Sequence, residues 1–246
     1  MYTHNERTNA MSKFFKILLA VSVTLTLVAC GGGGGGGATT TPAPVASSAT
    51  FQLLTAQAND TQQTSTLPFT ISGTFNGFAV SGSGSVTRGN VTGGTFESQT
   101  VLQRVTTSSG NVTANGVTTP ISTVSTSYFD SNYLPLGSSG TEYVVVQGTA
   151  TIPATALVND SGNAYTATRY TSSSKTTTLG TETVSFALLP DTANTALLRV
   201  ISVYRDNSSA ITYTVTTLTK ITPAGAATRI SETETYPNGN NLVLTY

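Results

Sequence analysis

The chain has 246 residues and few charges: 11 basic, 11 acidic and one histidine, so charged residues make up only 9%, against about 25% in an ordinary soluble domain. With Arg7, Lys13, Lys16 and Glu6 set aside in a leader, 8 basic and 10 acidic residues remain and the net charge is near −2, which excludes the electrostatic footprint of a nucleic-acid binder or a polybasic membrane patch. Thr, Ser and Gly fill the space, but Val, Ile, Leu, Phe and Tyr recur throughout, enough to build a core and to exclude disorder by composition.

The chain from Met11 reads MSKFFKILLAVSVTLTLVAC. Lys13 and Lys16 make a short positive region, and Ile17 to Val28 make an apolar run of 12 residues, too short for a membrane-spanning helix of about 20. Residues 1–29 are therefore expected to be a secretory signal. Residues 1–10 are polar, so Met11 is the expected start, which would remove His4, the only histidine. Leu27, Val28, Ala29 and Cys30 complete the leader. This segment resembles the lipobox signal of bacterial lipoproteins. The resemblance implies cleavage before Cys30, a diacylglycerol on its thiol and a palmitate-type acyl chain on the new amino terminus. Gly31 in place of an aspartate implies the outer membrane, with the periplasmic or surface face left open. Several acyl chains on one residue hold firmly where one alone does not. With Cys30 acylated no thiol remains, so disulfides and cysteine-based metal sites drop out.

Residues 30–49 then read as the lipidated cysteine and a tether, seven glycines followed by a Thr/Pro-containing part, with a coil length of about 25 Å. From residue 50 to 246 the chain alternates. Ile211, Tyr213 and Val215 fall on one face and Thr212, Thr214 and Thr216 on the other, the period of a half-buried strand. TEYVVVQGTATI and LLRVISVYR read likewise. RDNSSA, VNDSGNA, TPAGAA and YPNGNN supply turns, with Pro237–Gly239 a hairpin signal. No stretch shows sustained helical periodicity with caps. The expected fold is all-β, an antiparallel barrel or sandwich of about 10 to 12 strands. Thr/Ser outer faces and the absence of Trp argue against a membrane-inserted barrel. TVLQRVT (100–106) echoes TTLTKIT (216–222), and SYFDSNYLPLG (127–137) echoes TYPNGNNLVLT (235–245), which suggests either two duplicated halves or convergence of Thr-rich strands.

Chemistry is sparse. Without His4, histidine-based catalysis and histidine metal sites are unavailable. Ser172–Lys175 fits S-x-x-K, but strand-like flanks and no S-D-N partner make it a polar loop. Asp160-Ser161-Gly162 resembles the D-[ST]-G of aspartic proteases, but with one copy only it reads as a turn. Glu232 and Glu234 lie two apart on a strand and would project from one face, a spacing open to a glycosidase pair or a Ca²⁺ site. Solvated charges guarding a sheet edge are the favoured reading. Tyr128, Phe129, Tyr133 and Tyr143 cluster around Asp130, as a recognition surface or as core packing. No catalytic residues, no cofactor and no metal are expected. The expected function is a lipid-anchored, non-enzymatic β domain, an interaction or surface module. The alternative is a periplasmic carrier of a small apolar ligand inside a barrel. The partners expected are the membrane, through Cys30, and a protein, glycan or small molecule, with no nucleic acid.

Overall fold

The computed structural model describes residues 46–246; the signal segment, Cys30 and the tether through residue 45 lie outside the described residues. The chain opens with the two-residue strand β1 (Phe51–Gln52) and a helix α1 (Leu53–Gln62). Then come β2 (Ser65–Phe75), β3 (Phe78–Phe96), β4 (Gln99–Ala114), β5 (Val117–Phe129), β6 (Pro135–Ser139) and β7 (Tyr143–Gln147). After a short β8 (Thr155–Ala156) follow β9 (Ser161–Tyr170), β10 (Thr178–Thr192), β11 (Thr195–Arg205), β12 (Ile211–Ile221), β13 (Ala227–Thr235) and β14 (Asn241–Thr245). Twelve strands close into one antiparallel barrel in the order β10-β11-β12-β13-β14-β2-β3-β4-β5-β6-β7-β9, while β1 and β8 pair separately. The all-β expectation holds, and the architecture is the barrel, not the sandwich.

Alternation explains the walls. In β2, Phe69 and Ile71 are buried while Thr66, Thr70, Ser72 and Thr74 are exposed. In β11, Ala196, Leu198, Val200, Ser202 and Tyr204 point inward. Threonine suits the outer surface because it is β-branched yet wettable. Its hydroxyls also bridge strands, as Thr66 to Thr87 (3.1 Å) and Thr113 to Thr118 (2.7 Å). Inside, Phe69, Ile71, Val80, Val86, Val112, Ile121, Leu242 and Leu244 form an apolar cluster. Gly84 faces Gly110 across β3 and β4. A Cβ on Gly84 would fall 2.2 Å from the Ser109 carbonyl oxygen and 2.7 Å from Phe69 Cζ, so the absent side chain is what seats that ring.

Three features depart from expectation. Ser47, read from sequence as part of the tether, is buried, and its hydroxyl donates to the Ala193 carbonyl (2.8 Å) at the β10–β11 turn. The sequence shows no helix, yet α1 forms. Its buried positions Leu53, Ala56, Gln57 and Thr61 follow helical spacing, but two of them are polar and leave no apolar stripe. The internal echoes fall on comparable hairpins, β5–β6 and β13–β14, and on β4 and β12. These lie five places apart in the ring of twelve, whereas equal halves would separate them by six.

Candidate functional site in the barrel interior

Helix α1 sits inside one end of the barrel. Phe51, Leu53 and Ala56 pack with Ala156, Leu188, Ala196, Leu198 and Ile221, and Asn59 Nδ2 donates to the Gly225 carbonyl (2.9 Å) of the β12–β13 turn. The other side of the helix meets charge. Arg88 Nη1 of β3 donates to Asp60 Oδ1 at 2.8 Å. Arg104 Nη1 of β4 donates to the carbonyl oxygens of Asp60 (2.8 Å) and Thr61 (2.9 Å), two of the acceptors that a helix C-terminus leaves unpaired.

A bulge supplies a third arginine. Across β12 and β13 the register passes from Leu218 opposite Ser231 to Thr219 opposite Arg229, skipping Ile230. The skip turns both Arg229 and Glu232 inward although they are three residues apart. Arg229 Nη1 lies 3.6 Å from Glu232 Oε2. Burial opposes the Asp60 carboxylate, but Arg88, Arg229 and Arg104 outweigh it and hold its pKa below the ordinary value. Burial, reinforced by the charges of Arg88 and Arg229, brings Arg104 down to about 10. Burial pushes Glu232 up toward its neutral form. The cluster therefore carries surplus positive charge. Arg88 Nη2, Arg104 Nε and Arg229 Nε are all buried and without a hydrogen-bond partner, as are two acceptors beside Arg229, Glu232 Oε2 and the Tyr246 hydroxyl, a costly condition for charged groups.

Beside this cluster lies a cavity of about 50 Å³. Leu53, Ile152, Val184, Phe186 and Leu198 line its apolar part, and Gln57, Asp60 and Arg229 its polar part. At roughly 10–15 Å³ per water position it has room for about four waters, or a chain of about four carbon atoms. The β9–β10 bulge between Val184 and Ser185 helps to shape its wall, where Ala164 and Tyr165 both face the cavity.

The interior away from the helix is closed by a second polar set. Arg169 makes a bidentate pair with Glu142 (2.7 and 2.8 Å) and stands over the Tyr204 ring at 4.8 Å, which stacks on Tyr213. Ser202 Oγ donates to Glu182 Oε1 (2.7 Å), and burial raises the Glu182 pKa. Tyr236 donates its hydroxyl proton to Glu234 Oε2 (2.7 Å).

The residues singled out from sequence are placed as follows. Glu232 and Glu234 share one face, as their spacing requires, but that face is the barrel interior, where they are 4% and 2% exposed. A closed barrel has no edge to guard, so the solvated-charge reading is corrected. Asp130 accepts the backbone N–H groups of Asn132 and Leu134 (both 2.8 Å), and is a turn residue. Phe129 is fully buried. Tyr128 stacks on Phe96, and Tyr143 donates to Glu97 (2.7 Å). Asp160 Oδ2 accepts the Leu157 N–H (2.7 Å) in its turn. In the Ser172–Lys175 loop the lysine pairs with Glu97, while the Ser172 and Ser174 hydroxyls bond each other.

The arginine cluster itself was missed. Arg88 and Arg104 are brought together by the β3–β4 hairpin, and the barrel closure with the Ile230 bulge adds Arg229 to them. Among the described residues no group of three or more His, Cys, Asp or Glu side chains could hold a metal ion, and no helix is long and apolar enough to cross a membrane. Compared with protein-family models, curated proteins and solved structures, the chain matches none of them.

Proposed function

We propose that this is a lipid-anchored envelope protein whose barrel carries a small, mainly apolar ligand in its interior. The observation that carries the reading is the cavity between α1 and the β10–β12 wall, apolar along most of its lining and polar at one end, the usual composition of a small-molecule site. The outer surface supports the other reading, a surface module, through its exposed Thr and Ser rows on β2 and β3. The interior favours the carrier, because a structural barrel has no need of a residual cavity beside a helix held by charged contacts.

Two measurements test the parts separately. On purified protein, 1-pentanol, whose four carbons beyond the alcohol carbon match the cavity, should raise Tm saturably, as a ligand that binds only the folded state does. Ala227→Leu, which fills the cavity from β13, should abolish that rise; a rise that survives this substitution would remove the interior from the reading. In cells, Cys30→Ala should release the protein from the membrane fraction, and a variant as firmly bound as the natural protein would remove the lipid anchor. Protease added to intact and lysed cells would then report which face carries the barrel.

A further inference from the structure

The interior holds more guanidinium than carboxylate can satisfy. Arg88, Arg104 and Arg229 converge on Asp60, whose side chain bonds Arg88 alone, while Arg104 is held by backbone carbonyls of the same helix. Each of the three arginines keeps one buried nitrogen with no acceptor, and only Arg229 has unpartnered acceptors nearby, Glu232 Oε2 and the Tyr246 hydroxyl. Glu232 is the second carboxylate in reach, at 3.6 Å from Arg229. Natural interiors rarely leave charged donors unmet unless something else meets them. Arg229 and Asp60 also form part of the cavity wall, so the donors adjoin an apolar channel about four carbon atoms long.

Building on the carrier reading, we propose that the Arg88–Arg104–Arg229 cluster is an anion site for a short-chain monocarboxylate, its apolar chain lying in the neighbouring cavity and Asp60 acting as the competing internal carboxylate. Guanidinium is the group suited to this task, because its planar fork matches a carboxylate in two-point contact. Asp60 is carried on a helix that starts without a side-chain cap and whose C-terminal carbonyls are held by Arg104. The site therefore has a built-in rival for the same arginines. A ligand carboxylate must either share the cluster through its unmet N–H groups or displace the Asp60 side chain from Arg88. In both cases removing the rival charge strengthens binding.

The test compares pentanoate with 1-pentanol, which has the same chain and no charge, on the natural protein, Asp60→Asn and Arg229→Met. Calorimetric titration gives affinity, and thermal unfolding gives an independent readout. Pentanoate should bind the natural protein more tightly than pentanol. Asp60→Asn should tighten pentanoate by about ten-fold or more, with little effect on pentanol, because one opposing charge has gone. Arg229→Met should erase the preference for the anion while pentanol still binds. If Asp60→Asn does not fold, preference for pentanoate in the natural protein, lost in Arg229→Met, decides the matter. Equal binding of pentanol and pentanoate to all forms would overturn the anion site and leave the carrier standing. Binding of neither would overturn both.

Discussion

Replacing Arg88 with Met should lower the stability of the barrel by about 3 to 5 kcal/mol, the range for removing one partner of a buried ion pair. The loss arises because Asp60, whose side chain is 19% exposed, stays half-buried with its closest counter-charge gone. Arg104 and Arg229 still lower its pKa, which keeps the effect toward the smaller figure. For a domain of this size each kcal/mol moves Tm by roughly 2–4 °C, so a drop of about 10 °C is expected, with urea unfolding as the independent check. Adding Asp60→Asn to Arg88→Met should restore part of the loss, because the orphaned charge is then gone. The coupling between the two substitutions is what separates a paired contact from simple loss of side-chain packing. Additive losses would mean that α1 is seated by its apolar face alone.

Glu234→Gln should stabilise the protein at pH 8 and leave it nearly unchanged at pH 5. Burial pushes the Glu234 carboxyl up to about 7, with the Tyr236 hydrogen bond opposing the rise and the nearby Glu232 adding to it. Its folded pKa thus lies above its ordinary value of 4.5. Between those two pH values the folded protein holds a proton that the unfolded chain has released, so this contribution is full below about pH 4.5 and is lost as pH rises through 7. At about 1.4 kcal/mol per pH unit the loss comes to roughly 3 kcal/mol. Glu232 and Glu182 shift in the same direction, both by burial. Asp60 shifts the opposite way, so its contribution is lost only as the solution becomes more acidic than its ordinary range. The natural protein should therefore unfold at a higher temperature at pH 5 than at pH 8, and glutamine at 234, neutral at every pH, should recover the Glu234 share of the difference at pH 8. A Tm that rises from pH 5 to pH 8 would mean that Glu234 is solvated in solution.

How much of this was legible beforehand depended on distance along the chain. The walls were readable because a strand states its own facing: Tyr213 and Val215 inward, Thr214 and Thr216 outward, whereas Ile211, grouped with the inward pair by spacing, is exposed because the register shifts beside it. Hairpins were readable where a turn has its own chemistry, as at Pro237–Gly239, where β13 pairs with β14. Asn76-Gly77 and Asn115-Gly116, both in the left-handed conformation, carried an equally strong signal. The interior was not readable. Glu232 and Glu234 look the same in sequence whether their shared face meets water or core, and the choice is made by strands paired through closure. Helix α1 hid for a related reason. Buried Gln57 and half-buried Asp60 are held against Tyr133 and Arg88, contacts that span 76 and 28 residues, so the hydrophobic pattern that announces a helix was never written into it.

Closure also governs how the chain reaches this state. The seam joins β2 to β14, with Thr70 opposite Thr245 and Ile71 opposite Leu244, so the barrel is sealed by segments from opposite ends of the described chain. Contacts of such sequence separation form late and slowly, because loop-closure entropy must be met before they contribute. Until β14 arrives, β2 presents an unpaired strand edge open to association with other chains. Refolding from urea should therefore be slow and sensitive to protein concentration, and a chain exported amino terminus first would remain unsealed until its last strand had crossed.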